Sequence, residues 1–395
     1  MDRRTFTKLL SSALIAKSSG LKALINGNRI VVVGAGIVGS SIAYHLTKMG
    51  AQVTLIERDR PASHASGKSF AWINASYPKK PYSYHHLSQL SLLAYHRLET
   101  EIDIDVHWGG SLEWFASQEN QKMLTQEIEI QQGYGVPVQM ISGEHAHELE
   151  PNVKFDKKAN IAFSKLDGAV DAVRVVDKFL RKTISLGGQV LYPVTYKGLK
   201  TIGKKIVAVR TSVGEIETDQ VVFACGVDTD ELLKISVLKT SRPGIILRTQ
   251  AMNKVIDRVI VAPGVHIHQQ NDGKVVIGEQ EGAPISHLNR LAWKPESFPS
   301  TAFEKQHSER IRAIAQQFVP QLETVKLEEI VIGWRPLPHD ERPVVGHVKN
   351  IPGVYLATMH SGVTLAPIIG ELVAMELLDG TETNLLADFR PDRFI

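Results

Sequence analysis

Arg29-Ile30-Val31-Val32-Val33-Gly34-Ala35-Gly36-Ile37-Val38-Gly39 is an apolar run that breaks into glycines spaced G-x-G-x-x-G, and Gln52-Val53-Thr54-Leu55-Ile56-Glu57 is a second apolar run closed by an acid. The spacing predicts a strand, a tight turn, a helix from Ile37 to Met49 and a second strand. That is a dinucleotide-binding βαβ unit. Gly34 lets the chain turn tightly, Gly36 removes a Cβ that would block a pyrophosphate, and Gly39 lets the helix lie close on the strand. The helix start, with Ile37 and Val38 in its first turn, then faces two negative phosphates. Glu57 is placed to accept hydrogen bonds from a ribose diol, which favours FAD or NAD over NADP. The alternative for these glycines is an ordinary structural turn.

Bulk properties describe a globular chain. It has 395 residues, 43% hydrophobic and 22% charged, enough for a large core and two domains. The formal net charge of +3 gives no argument for nucleic acid, and the pairs Lys79-Lys80, Lys157-Lys158 and Lys204-Lys205 read as solvated surface. A single cysteine, Cys225, rules out an intrachain disulfide and a cysteine-rich metal site, and reads as a small core residue at a strand end. The 15 histidines show no HExxH pattern, so no metal is expected.

Asp2-Arg3-Arg4-Thr5-Phe6-Thr7-Lys8, followed by the apolar Leu9 to Ala16, resembles a twin-arginine export signal and suggests a periplasmic location. Lys17 interrupts the apolar region early and no A-x-A site follows. The alternative is a cytoplasmic protein with a basic amphipathic N-terminal helix.

After Glu57, the long polar loop from Arg58 to Ser69 is placed to reach along an extended cofactor, which makes Arg58, Ser66, Gly67 and Ser69 candidate contacts. Helices are expected over Tyr84 to Glu101, Ala172 to Leu186, Ser300 to Phe318 and Ala366 to Leu378. Strands are expected at Trp108 to Phe115, Gln189 to Thr195, Lys205 to Thr211, Gln220 to Cys225 and Val354 to Thr358. Val265-His266-Ile267-His268 and Lys274-Val275-Val276-Ile277 flank Asn271-Asp272-Gly273, a hairpin signature. The expected class is α/β, with a Rossmann-like nucleotide-binding domain that the chain leaves and re-enters twice, so that it is interleaved with a second domain. In chain order the expected pieces are a Tat-like segment at 1–28, nucleotide-binding parts at 29–82, 151–235 and 329–395, and second-domain parts at 83–150 and 236–328.

Four blocks carry a family resemblance: the Gly34/Gly36/Gly39/Glu57 unit with Ala65-Ser66-Gly67; Asp167-Gly168-Ala169-Val170-Asp171; Gly333-Trp334-Arg335-Pro336-Leu337-Pro338-His339-Asp340 with Pro343-Val344-Val345-Gly346; and His360-Ser361-Gly362-Val363-Thr364-Leu365-Ala366-Pro367 with Gly370. Together they resemble the FAD-dependent oxidoreductases of the D-amino-acid oxidase type, which include glycine oxidase, sarcosine oxidase and D-amino-acid dehydrogenase. The resemblance implies a Rossmann-like FAD-binding domain interleaved with an antiparallel-sheet substrate domain, with Gly362, Val363 and Thr364 facing the flavin ring and Gly226 and Gly333 allowing close backbone approach. It also implies that Arg335 clamps a substrate carboxylate, a role a guanidinium fills with two parallel hydrogen bonds. The alternative for Arg335 is an ion pair with Asp340 or Glu341. His360 is a candidate neighbour of the flavin.

Two departures matter. Relatives with a cysteine-linked flavin carry the cysteine where Gly333 aligns, so that linkage is excluded here. His64-Ala65-Ser66-Gly67 is similar to the H-A-A-G setting of a histidine-linked flavin, but the interval from Glu57 is shorter, so non-covalent FAD is expected. Relatives also carry a tyrosine where His266 aligns. His266 and His268 share one strand face and are candidates for substrate contact, with surface histidines as the alternative.

The resemblance implies oxidation of a small amino acid (a D-amino acid, glycine or N-methylglycine) by hydride transfer to flavin N5, with oxygen, a quinone or a partner protein as acceptor. Rival readings are a 2-hydroxy-acid dehydrogenase, a flavin-dependent tRNA-modifying enzyme and a non-catalytic flavoprotein subunit.

Overall fold

The computed structural model describes residues 28–74, 79–280 and 297–395. Arg3 and Arg4, on which the expected export signal rests, lie outside them. Arg29–Val33 and Gln52–Ile56 pair in parallel around the helix Ile37–Lys48, as the glycine spacing predicts. They form the centre of a six-stranded sheet in the order Val344–His347, Val354–Thr358, Gln220–Phe223, Arg29–Val33, Gln52–Ile56, Gln189–Leu191. Every pairing is parallel except that of the edge strand Val344–His347. The four central strands are almost wholly buried and rich in valine, leucine and isoleucine, as a sheet covered on both faces requires.

An eight-stranded sheet forms the second body, ordered Leu327–Gly333, Gly244–Thr249, Val275–Glu279, Val265–Gln269, Val259–Ala262, Ser111–Glu113, Asn160–Ser164, Val138–Ser142. It is antiparallel except where Val259–Ala262 meets Ser111–Glu113. The expected hairpin is present: His266 pairs with Gly278 and His268 with Val276, and Gly273 takes a positive φ of 86° in the connecting turn. Side-chain alternation gives the sheet two unlike faces. Leu112, Ile245, Ile260, Ile267 and Ile277 pack with Phe303 and Ile311 of the helix Thr301–Phe318. The opposite face carries Glu113, Val259, Val261, His266 and His268, with Phe70 and Trp72 lying against it.

Several boundaries differ from expectation. Helix Tyr82–Ile102 packs with the nucleotide-side core through Tyr84, Leu87, Tyr95 and Leu98, so the cut at 82/83 does not separate it from that domain. Strand Asn160–Ser164 pairs with Ser111–Glu113 and Val138–Ser142, which carries the first substrate-side excursion past the expected end at 150. Strand Leu327–Gly333 likewise spans the cut at 328/329. The expected strand Trp108 to Phe115 is interrupted at Gly109 and Gly110, where a Cβ would lie 1.9 Å from the Asp257 carbonyl and 2.4 Å from the Ser164 carbonyl respectively. No helix among the described residues is long and apolar enough to cross a membrane.

A Cβ at Gly39 would lie 2.0 Å from the Gly34 carbonyl oxygen, with backbone on both sides of the contact. Gly39→Ala should therefore force the helix off the strand, at about 1–3 kcal/mol for overpacking of this kind. Thermal unfolding should show the loss, together with reduced retention of bound nucleotide.

Candidate active site

A cavity of about 440 Å3 has Gly34, Gly36, Ile37, Val38 and Glu57 in its wall together with Arg58, Ser66, Ser69, Gly226, His360, Gly362 and Val363. Gly34 sits at φ 106°, and a Cβ there would meet the Ala224 carbonyl at 2.5 Å. Gly226 is also in the left-handed region, at φ 55°, with open space where its Cβ would be. Glu57 holds the turn closed: one carboxylate oxygen accepts the Ala35 N–H at 2.9 Å and the other the Asp59 N–H at 3.0 Å. The Ile37 N–H is taken by Ser66 Oγ at 2.9 Å, so the polar loop caps the glycine-turn helix from its side. Among the described residues, Glu57, Asp59 and His64 bring three metal-ligating groups within reach of one another. Both Glu57 oxygens already accept backbone N–H groups, and His64 is held by Asp59 at 2.8 Å, so their geometry serves the loop.

The C-terminal helix starts at Gly362, a turn earlier than expected, and runs to Asp379. Ser361 precedes it without capping it; its hydroxyl instead bonds Tyr84 at 2.7 Å. Among the described residues no side chain closes the first-turn N–H groups of this helix, and they adjoin the cavity at Gly362 and Val363. A glycine cradle at one helix start and an uncapped second helix start fit a long dianionic cofactor with an electron-accepting ring. Three predicted cofactor glycines serve packing instead, or as well. Gly39 meets Gly34, a Cβ at Gly67 would lie 2.3 Å from the Ala62 carbonyl, and one at Gly333 would lie 2.9 Å from Lys68. Thr364 is not in the cavity wall; its Oγ1 accepts the Asn74 N–H at 3.1 Å.

Arg335 follows the strand Leu327–Gly333, and its neighbours Trp334 and Pro336 line the cavity. The expected ion-pair alternative does not form: Asp340 pairs with Arg342 and Arg393, and Glu341 with Lys239. Among the described residues the Arg335 guanidinium has no hydrogen-bond acceptor. Burial pulls its pKa below the ordinary arginine value, opposed by the Glu279 carboxylate. His360 is solvent-exposed in the cavity wall, with protein packed around the mouth. Burial, then the charge of Arg335, lowers its pKa to about 4. His266 is lowered to about 4 by the same two causes and packs against Phe70 and Trp72. Both imidazoles are therefore neutral near pH 7, leaving Arg335 as a fixed cation beside them. His268 is a different case. Its Nε2 meets the Phe70 carbonyl at 2.8 Å and the residue is 2% exposed, so it braces the Phe70 segment.

No residue type or motif in the sequence marks Lys79, Tyr84 or Glu113 as site residues, or Asp167 as buried. Lys79, expected at the surface, turns inward to donate to the Asn74 carbonyl at 2.9 Å and Ser88 Oγ at 3.1 Å. Asp167 is 0% exposed and accepts from Ser111 Oγ at 2.7 Å and Trp72 Nε1 at 3.1 Å. The one available signal was the polar spacing Tyr84, Ser88, Ser91, Tyr95, which repeats on a single helix face.

A family model described as FAD dependent oxidoreductase (DAO) matches residues 29–375. The chain belongs to the DAO family. The DAO family implies FAD, and the glycine cradle and two helix starts are where it would be held. Among curated relatives, the glycine oxidase of Bacillus licheniformis is 27% identical and the match covers 92% of this chain and 96% of that protein. The D-amino acid dehydrogenase 2 of Mesorhizobium japonicum is 25% identical, with 90% and 98% covered. Among solved structures, L-proline dehydrogenase from P. horikoshii has a TM-score of 0.81 at 23% identity, covering 93% of this chain and 98% of that one. Glycine oxidase from Geobacillus kaustophilus also has 0.81, at 21% identity, covering 93% and 100%. The fold of this DAO-family enzyme is thus that of its relatives over nearly the whole chain.

Glu113, 8% exposed on the sheet face opposite the aliphatic core, gives a pH test of these electrostatics. Burial, then Asp167 and Glu127, raises its carboxyl from the ordinary 4.5 to about 8. The native state therefore binds an extra proton between these values, and stability falls as pH rises through that window. Glu113→Gln cannot ionise. It should leave the melting temperature nearly unchanged at about pH 4 and raise it at about pH 9; the reverse order would show that Glu113 is charged in the native protein.

Proposed function

We propose that this DAO-family oxidoreductase oxidises the C–N bond of a small amino acid: a D-amino acid, glycine or N-methylglycine. The observation that carries the reading is the Arg335 guanidinium, a cation with no acceptor among the described residues, set beside His360 and His266 next to the cavity. A carboxylate is the group that such a fork matches, through two charge-assisted hydrogen bonds. Relatives described as glycine oxidase and D-amino acid dehydrogenase support the amine half of the assignment.

FAD supplies the hydride acceptor. Arg335 fixes one end of the substrate, which limits how the carbon bearing the nitrogen approaches the ring. His266 and His360, both neutral, accept or donate hydrogen bonds without competing for the carboxylate. Phe70 and Trp72 supply apolar walls near His266. The amine must be neutral when hydride leaves, and the fixed charge of Arg335 favours that form. The product imine hydrolyses in water to a 2-oxo acid and ammonia, or to glycine and an aldehyde from an N-methyl substrate. Oxygen, a quinone or a partner protein would serve as the electron acceptor.

Anaerobic bleaching of the bound flavin, scanned across D- and L-amino acids, N-methylglycine and 2-hydroxy acids, tests the substrate class; bleaching by 2-hydroxy acids alone would replace an amine with an alcohol at the same clamp. Arg335→Lys and Arg335→Ala should weaken amino-acid binding by roughly 10- to 100-fold, about 1.5–3 kcal/mol for a lost charged partner, with FAD content and melting temperature little changed. Matching amines that lack a carboxylate should be unaffected. Equal losses for both would make Arg335 structural.

We also propose that FAD is held without a covalent bond. His64 is engaged by Asp59, and Gly333 offers no sulfur. Acid precipitation should release all the flavin into the supernatant, and fluorescence retained on the denatured chain would point to His64.

A further inference from the structure

Helix Tyr82–Ile102 turns three buried hydroxyls, those of Tyr84, Ser91 and Tyr95, toward the start of the C-terminal helix, while the buried Ser88 hydroxyl donates to the Tyr84 carbonyl of its own helix. Tyr84 bonds Ser361 Oγ at 2.7 Å, Ser91 donates to the Thr364 carbonyl at 2.6 Å and Tyr95 to the Val363 carbonyl at 2.5 Å. The Asn74 N–H reaches Thr364 Oγ1. These bonds fix the orientation of the turn at Gly362 from behind. Lys79 belongs to the same network. Its Nζ bonds Ser88 Oγ and the Asn74 carbonyl and lies 5.3 Å from the centre of the Tyr84 ring, and among the described residues no carboxylate pairs with it directly.

We propose that Lys79 is a positioning residue that couples reduction of the bound flavin to the uptake of a proton at its own amine. The Gly36 and Glu57 end of the cavity suits the pyrophosphate and ribose, which leaves the wall at His360 and Gly362 for the ring. Lys79 stands behind that wall and acts on His360 through space. Reduction adds two electrons and one proton to the flavin, leaving a negative charge in front of the Gly362 helix start. A negative charge favours the protonated amine, so Nζ takes one further proton from solvent and returns it on reoxidation.

The groups around Lys79 allow this. Burial lowers its pKa to about 7, while the Asp167 carboxylate opposes the shift. Tyr84 is pushed up to about 12 and His360 down to about 4, so neither titrates near neutrality. Lys80 is exposed and acts on Glu127. The amine is therefore partly neutral before reduction, with room to gain charge.

The inference rests on the flavin lying at the Gly362 turn, and its test uses no substrate, so it fails independently of the amino-acid reading. The flavin midpoint potential of the holoenzyme is measured against pH with redox dyes. Between about pH 7 and 9 the wild type should show one more proton per two electrons than Lys79→Met. That is an additional tenfold per pH unit in the reduction equilibrium, or about 30 mV for a two-electron couple. Lys79→Arg, charged throughout, should keep a high potential and lose the extra slope. If neither variant holds FAD, proton uptake on dithionite reduction of the wild type in weak buffer decides, after subtraction of the protons that dithionite releases when it reduces a proton-free acceptor such as a viologen. About two protons per flavin at pH 8 supports the coupling, and one overturns it. Parallel potential–pH lines for wild type and Lys79→Met, both with flavin bound, also overturn it.

Discussion

The close approach of two helices is the constraint on which the site depends. Ile37–Lys48 and Gly362–Asp379 pack together with both N-termini at the cavity. A Cβ at Gly370 would lie 2.3 Å from Ser41 Oγ and 2.6 Å from His45, and one at Gly362 would lie 3.2 Å from Val38. Larger residues would separate the helices and move one N-terminus away from the other. Since a helix terminus acts only over its first turn, that displacement would remove one positive end from any ligand held between them.

A second constraint is that Arg335, which we propose meets the substrate, has no paired acid among the described residues. Acids close to Arg335 in sequence are drawn off by other bases, Asp340 to Arg393 and Glu341 to Lys239, and Glu279 is paired with Arg310. The imidazoles nearby are kept neutral by burial and by Arg335 itself. Burying an unpaired cation costs stability. A protein keeps such an arrangement where a ligand supplies the missing charge.

The eight-stranded sheet makes this possible by dividing its faces. One is filled with aliphatic side chains under Thr301–Phe318 and carries the folding free energy, while the other bears the histidines, Glu113 and the aromatic pair Phe70 and Trp72. A mixed sheet covered on one side by a helix and on the other by a second domain can place polar groups at the domain junction without breaking its own core.

What could be read from the sequence was local. The glycine turn, Glu57, the hairpin at Gly273 and the apolar strands follow from steric and periodic rules that operate within about twenty residues. The Gly362 helix start was placed too late because glycine, valine and threonine are weak helix formers, and the hydroxyls of Tyr84, Ser91 and Tyr95, hundreds of residues away, hold that turn. Lys79 looked like half of a solvated pair, and Gly333 looked like cofactor clearance although Lys68 packs on it. Residue type and spacing determined that a nucleotide fold exists and where its turn lies. Which lysine is buried, which histidine is braced and whether Arg335 finds a partner were decided by the tertiary structure, because burial and charge pairing depend on neighbours that the chain order does not reveal.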